Sequence, residues 1–309
     1  MIFYSIHPAT KAKDYSVKSA VEYYLMVMKQ EGRRPGTLVT YARSTREMAE
    51  YITPLLDTSS ILSTTPSVLR VFFEYLSQNH NRGGVHHYYR NIKAFFHWFW
   101  DEFDVTIPNP INKVKVEPQR PIPRHGIPFD ALSKVYEACT TQNALRDRAI
   151  LLGLLDTCAR AAEFCNMNVG DLDFGTGNVL IREGKGGKSR YVRFGVKSLR
   201  AIRKYLRTRS ITFDTEPLFA TDEGLRFTTR ALFGLLQRRI RAAGVKQYGL
   251  HDFRRRGLYE LWNRTRDIKG VSVYAGHSTV TVTQVYLGIT DQDVLSIHER
   301  ASPVDNWNF

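Results

Sequence analysis

Apolar residues recur at helical spacing through the first hundred positions and mark four helices. Ala20, Tyr24, Leu25 and Met28 share one face of a segment at 16–31, which Gly32 ends. A second segment, 35–52, has Pro35 in its first turn, where a fixed φ suits a helix start, and leaves Arg43 and Arg46 outside. Segments at 66–76 and 85–103 follow, parted by the turn sequence Asn81-Arg82-Gly83-Gly84. The last carries Phe95, Phe96, Trp98, Phe99 and Trp100, a density of rings that reads as packing core rather than as a platform for stacked bases.

The pattern breaks over 106–126. Pro108, Pro110, Pro118, Pro121 and Pro123, mixed with Lys113, Lys115, Arg120 and Arg124, predict an extended, semi-rigid, basic linker. Helical periodicity returns at 129–139, 146–167, 197–207 and 228–243. Two short strands, 179–183 and 191–194, are joined by a glycine-rich turn. The expected fold is mainly α with a small β-sheet: a helical domain over 1–105, the linker over 106–126, and an α+β domain over 127–309.

Composition narrows the function. No run of about 18 apolar residues exists to span a membrane, and the first residues lack the layout of a secretory signal. Cys139, Cys158 and Cys165 form no C-x-x-C pair, which fits buried thiols in a reducing cytoplasm better than disulfides or zinc. The chain carries a net charge of +14, which points to a polyanionic partner. Residues 1–105 hold 12 Lys+Arg against 10 Asp+Glu, whereas 106–309 hold 32 against 20. Most of the excess therefore lies in the second half.

That half also holds an unusual set: His251-Asp252-Phe253-Arg254, then Gly276-His277-Ser278, then Gln284-Val285-Tyr286-Leu287. Two imidazoles, a guanidinium and a phenol suit an anion clamp beside a nucleophile. His251 and Arg254, at i and i+3 of a helix, leave from one face. Arginine offers a planar fork that matches two phosphate oxygens and stays charged. A phenol ionises near pH 10, so it needs a base or a strong positive field to attack at neutral pH.

This set, with Tyr286 nine positions after His277, resembles the C-terminal signature of the tyrosine recombinases, the phage integrase family, and in particular its two-domain Xer- and Cre-like members. Thr157-Cys158-Ala159-Arg160-Ala161-Ala162-Glu163 resembles the family's T-G-x-R-x-x-E segment. Glu183-Gly184-Lys185-Gly186-Gly187-Lys188-Ser189-Arg190 resembles its G-K-G-x-K-x-R hairpin. Asp171-Leu172-Asp173 and Asn109-Pro110 are weaker echoes. Two departures stand out: Cys158 replaces the usual glycine, and Phe253 and Arg255 replace the leucine and histidine around Arg254.

The resemblance implies a helical core-binding domain followed by a catalytic domain, closing as a clamp on duplex DNA and acting as a homotetramer at synapsis. Its catalytic set maps to Arg160, Lys185, His251, Arg254, His277 and the nucleophile Tyr286. Strand cleavage would leave a 3′-phosphotyrosyl link and a free 5′ hydroxyl. Arg160 and Arg254 would neutralise the phosphate, His251 would take the phenol proton, His277 would donate to a non-bridging oxygen and Lys185 would protonate the leaving oxygen. Neither a metal nor another cofactor is demanded. Glu163 reads as a structural partner. Two other readings stay open: a type IB topoisomerase-like nicking and closing enzyme, and a DNA-binding regulator that kept the fold.

Other features carry less. Gly187-Lys188-Ser189 imitates the end of a P-loop, but Arg182 stands where that motif needs glycine and a strand follows instead of a helix. His80, His86, His87 and His97 lack metal-ligand spacing. About 15 residues precede the first helix, too few for an extra arm-site-binding domain. Val294, Leu295 and Ile297, with Trp307 and Phe309 beyond, must bury somewhere: docking in cis on the same domain stays open, and the family resemblance implies docking on a neighbouring protomer.

Overall fold

The computed structural model describes residues 15–118, 126–182, 189–277 and 279–287; of 282 and 284–286 it describes the backbone alone. Two compact units divide the chain, 1–120 and 121–309. Helices dominate, and a two-stranded sheet lies in the second unit.

The first unit comprises α1 (Val17–Gln30), α2 (Pro35–Ile52), α3 (Pro66–Asn79) and α4 (Arg82–Glu102). Each start except that of α2 is capped by a side chain. Ser16 accepts from Ser19 N, Thr65 from Val68 N and Asn81 from Gly84 N, each satisfying a helix-end donor. The periodic apolar faces meet in one core in which Phe72, Phe95, Phe96 and Phe99 are fully buried. The aromatic run is thus packing, with Phe95 and Phe96 edge to face at 5.3 Å.

Residues 106–118, assigned above to a linker, pack on this unit. Ile111 and Val114 enter its core. Trp100 Nε1 donates to Ile107 O, and Asn109 Nδ2 donates to Phe96 O, holding the stretch against α4. Proline spacing shows an extended backbone but not the apolar residues between the prolines that seat it. Residues 119–125 lie outside the described residues.

The second unit contains α5 (Phe129–Glu137), α6 (Ala144–Thr157), α7 (Ala161–Cys165), strands β1 (Asn178–Ile181) and β2 (Arg190–Arg193), then α8 (Val196–Leu206), α9 (Thr229–Ala242), α10 (Leu250–Thr265), α11 (Ile268–Ala275) and α12 (Val280–Leu287). β1 and β2 are antiparallel, with Asn178 opposite Arg193 and Ile181 opposite Arg190. Its main core gathers Ile150, Leu154, Phe164, Val179, Val192, Ile202, Leu236 and Phe253. A satellite core of Cys158, Leu258, Trp262, Val271, Ala275 and Leu287 ties α10, α11 and α12 together.

The continuous helix expected over 146–167 is broken. Cys158 closes α6 with φ 48° and ψ 25°, and α7 starts afresh after Arg160. A left-handed residue ends a helix because it turns the next N–H out of the ladder. Glycine usually fills such a position, so the departure at Cys158 falls where L side chains are least at ease.

Candidate active site

The site is built where α11 ends. Tyr274, Ala275 and Gly276 present three successive carbonyls, and a different arginine donates to each. Arg190 Nε reaches Tyr274 O at 3.1 Å, Arg254 Nη2 reaches Ala275 O at 2.8 Å, and Arg160 Nη2 reaches Gly276 O at 2.9 Å. The last carbonyls of a helix lack intrahelical partners and carry its negative dipole end, which is why cations gather there.

Three elements bring these guanidiniums together. Arg254 projects from the second turn of α10 and is almost fully buried, at 2 % exposure. It also donates to Cys158 O, so the left-handed turn after α6 aims a carbonyl at it. Arg160 caps α7, and Arg190 opens β2. Glu163 joins them. Its carboxylate accepts from Arg160 Nη1 at 2.8 Å and Arg160 N at 2.8 Å, and from Arg190 Nη1 and Nη2 at 3.1 and 2.8 Å. Burial alone would raise the Glu163 pKa; the Arg190 hydrogen bonds, then those from Arg160, overcome it and hold the group at about 2.

Two glycines permit the close packing. Gly276 has φ +64°, and a Cβ there would meet the Arg190 guanidinium at 3.0 to 3.1 Å. Gly257, on α10 three residues after Arg254, lets that helix run against α6. A Cβ would meet Leu155 O at 2.2 Å and Cys158 Sγ at 2.5 Å.

His277 follows the carbonyl trio directly. Its Nε2 lies 3.0 Å from Arg254 Nη2 and its Nδ1 2.8 Å from Thr283 Oγ1. Burial, then the positive charges of Arg254, Arg160 and Arg190, push its pKa down to about 4. His251 lies in the first turn of α10 and remains open to solvent. Partial loss of hydration, then Arg254 and Arg255, lower its pKa below the ordinary imidazole value. Both rings are therefore neutral at pH 7 and able to accept a proton.

Of the six residues picked from sequence, Arg160, Arg254 and His277 are brought together by direct or shared contacts, and His251 stands on the Arg254 helix. Tyr286 lies on α12, between Thr283, bonded to His277, and Leu287, buried in the satellite core; its side chain is outside the described residues. Lys185 is outside them too, within 183–188, whose flanks are β1 and β2. Sequence reasoning passed over Arg190 and Thr283. Arg190 stood inside the quoted hairpin motif, which was the available signal; nothing local marked Thr283.

The phage integrase family model matches residues 127–293. The chain belongs to that family. Among curated relatives, tyrosine recombinase XerC of Thermodesulfovibrio yellowstonii is 28 % identical over 251 residues, covering 77 % of this chain and 82 % of the relative. Two solved structures share the fold. A XerH site-specific recombinase bound to palindromic difH substrate, a post-cleavage complex, has a TM-score of 0.69 at 19 % identity, covering 94 % of this chain and 85 % of that one. A lambda integrase tetramer bound to a Holliday junction has a TM-score of 0.73 at 15 % identity, covering 91 % and 82 %. The protein is a tyrosine-type recombinase, an enzyme that exchanges DNA strands. No helix among the described residues is long and apolar enough to cross a membrane.

Proposed function

We propose that this recombinase cleaves one DNA strand by direct attack of Tyr286 on the scissile phosphate. The phenol oxygen forms a bond to phosphorus, the 5′ oxygen leaves, and the product is a 3′-phosphotyrosyl link. The 5′ hydroxyl of a partner duplex reverses the step, so bond energy is conserved and no high-energy cofactor is required. The observation that carries this reading is the convergence of Arg160, Arg190 and Arg254 on one helix end, whose last contacted carbonyl, that of Gly276, lies four positions before the start of the Tyr286 helix.

The charges suit the reaction. Among these hydrogen-bonded groups Arg160 and Arg190 share one carboxylate, Glu163, and Arg254 adds a third guanidinium on the same helix end, leaving a surplus of positive charge. A phosphodiester brings one negative charge and its pentacoordinate transition state brings two, so the surplus favours the transition state over the ground state. Arg160 and Arg254 are assigned to the non-bridging oxygens. Both donate to main-chain carbonyls, which hold the guanidiniums in place. Neutral His251 takes the phenol proton, His277 donates to a non-bridging oxygen, and Lys185 protonates the leaving 5′ oxygen.

The helical unit, through residue 118, is assigned to DNA binding, the basic segment 119–126 to the connection between units, and the synaptic enzyme to a homotetramer, as in the lambda integrase structure. Covalent trapping tests the reading. The wild-type protein, incubated with fragmented DNA carrying nicks, is expected to yield protein-linked 3′ ends whose sequences define the cleavage site. Tyr286→Phe should abolish the adduct while DNA affinity stays nearly unchanged. A phosphotyrosyl product surviving in Tyr286→Phe would remove the nucleophile from this assignment.

A further inference from the structure

His277 is held at both ring nitrogens, and its two partners differ in what they can do. Arg254 Nη2 stands 3.0 Å from Nε2. A guanidinium has donors only, so Nε2 accepts, and the proton of the neutral ring sits on Nδ1, where it is donated to Thr283 Oγ1 at 2.8 Å. In this state Nε2 has no proton to give to a phosphate.

Donation to phosphate requires the other tautomer. Nε2 must then carry the proton, and Nδ1 becomes an acceptor that needs a donor. A carbonyl at Nδ1 would forbid that state, and a carboxylate would oppose it. A hydroxyl serves both tautomers, because it accepts in one orientation and donates in the other. Thr283 is fully buried, so bulk water does not stand in for it. It is also placed on α12 three residues before Tyr286, so one hydrogen bond ties His277 to the helix of the nucleophile.

We propose that Thr283 is a positioning residue for strand cleavage: its hydroxyl accepts from His277 Nδ1 in the DNA-free enzyme and donates to it when a phosphate occupies Nε2. The inference rests on the phosphodiester reading above. The proton count balances. Nδ1 releases one proton to solvent and Nε2 takes one up as the phosphate enters, so the ring stays neutral throughout. The neutral ring agrees with the burial and the neighbouring Arg254, Arg160 and Arg190 charges, which outweigh Glu163. Without the hydroxyl, the half-buried Nδ1 loses its partner in either tautomer, which is costly.

The test uses the full chain, labelled with ¹⁵N-histidine in the Tyr286→Phe background, free and bound to a duplex of the sequence recovered by covalent trapping. The His277 signal is assigned from its loss in His277→Gln. Free enzyme should show Nδ1 protonated and Nε2 bare, and the DNA complex should show the reverse. In the Tyr286 enzyme, Thr283→Val, equal in shape, should slow single-turnover cleavage about 10- to 100-fold, the range for losing a partner that orients a working imidazole, with DNA affinity unchanged. Thr283→Ser should recover most of the rate. The inference falls if the bound ring keeps its Nδ1 proton, if Thr283→Val cleaves at the wild-type rate, or if Thr283→Ser loses as much as Thr283→Val. Absence of any adduct from the wild-type enzyme would instead overturn the mechanism beneath it.

Discussion

The two units of this recombinase bury different things. In the first unit the buried polar residues are Ser44, Thr45, Thr64 and Asn91, and among its described residues no charged side chain is buried. In the second, Arg146, Asp147, Glu163, Asp171 and Arg254 all are. Burying an ion costs several kcal/mol of lost hydration, roughly, and is tolerated only when partners replace the water. The first unit has no reason to bear that cost. Its rings pack, and its cations stay outside, as Arg90 and Lys93 do on α4. The second unit bears it in paired clusters: Asp147 is held by Arg146 and Arg239, Asp171 by Arg182, and Glu163 by Arg160 and Arg190 in the site proposed for the phosphate, where charges already in place need not reorganise.

The difference gives the comparison its strongest test. In the first unit, stability should follow apolar area. Phe96 is fully buried beside Phe95 and Trp100, so Phe96→Ala should cost about 3–5 kcal/mol, as large-to-small changes at buried aromatics do. Denaturant unfolding followed by the aromatic signals of that unit measures the loss. A cost under about 1 kcal/mol would mean that the ring core is loosely packed and that the contrast is one of composition only.

In the second unit, stability should depend on pH through Glu163. Its pKa is held at about 2 in the folded chain, against an ordinary value of 4.5. A carboxylate with a depressed folded pKa contributes stability that is fully present above the unfolded value and is lost as pH falls through the folded one. The window is therefore pH 4.5 down to 2. The shift corresponds to about 3 kcal/mol at most. Glu163→Gln should flatten that part of the stability–pH curve, and it should also slow cleavage at neutral pH because Arg160 loses its anchor. If the wild-type and Glu163→Gln curves run parallel between pH 4.5 and 2, the ion cluster does not contribute as its geometry indicates.

The same contrast explains what could be read in the sequence. Apolar periodicity marked all four helices of the first unit, because each answers to its own spacing of Val17, Tyr24, Phe72 and Phe95 and their like. Arg160, Arg254 and His277 were found through motif resemblance, and Glu163 was read as a structural partner, but the carbonyls that hold the arginines were not found. Arg254 meets Ala275 O across 21 positions, Arg190 meets Tyr274 O across 84, and Arg160 meets Gly276 O across 116. No local pattern reports a contact of that range. The break inside 146–167 escaped for a different reason: the residue that turns left-handed is a cysteine, and a reader of sequence expects glycine there.

That cysteine supplies the smallest and most discriminating prediction. Cys158 sits at φ 48°, fully buried, with its sulfur in the space that Gly257 leaves open. Holding an L residue left-handed costs roughly 1–2 kcal/mol, which Cys158→Gly would remove. The same change would lose the packing of the sulfur and add the chain entropy of glycine, about 0.5–1 kcal/mol for the latter. The opposing effects leave Cys158→Gly within about 1 kcal/mol of the wild type in denaturant unfolding. Cleavage should be unchanged, because the group that Arg254 uses is the Cys158 carbonyl, which any residue provides. The thiol itself is inert as an acid, pushed up to about 12 by burial against the opposing pull of Arg254. Cys158→Val should behave otherwise: a branched side chain resists positive φ and would press on α10 at Gly257, moving the turn that carries Arg254. Cleavage lost equally in the glycine and valine variants would assign a chemical part to the sulfur and take it away from the backbone turn.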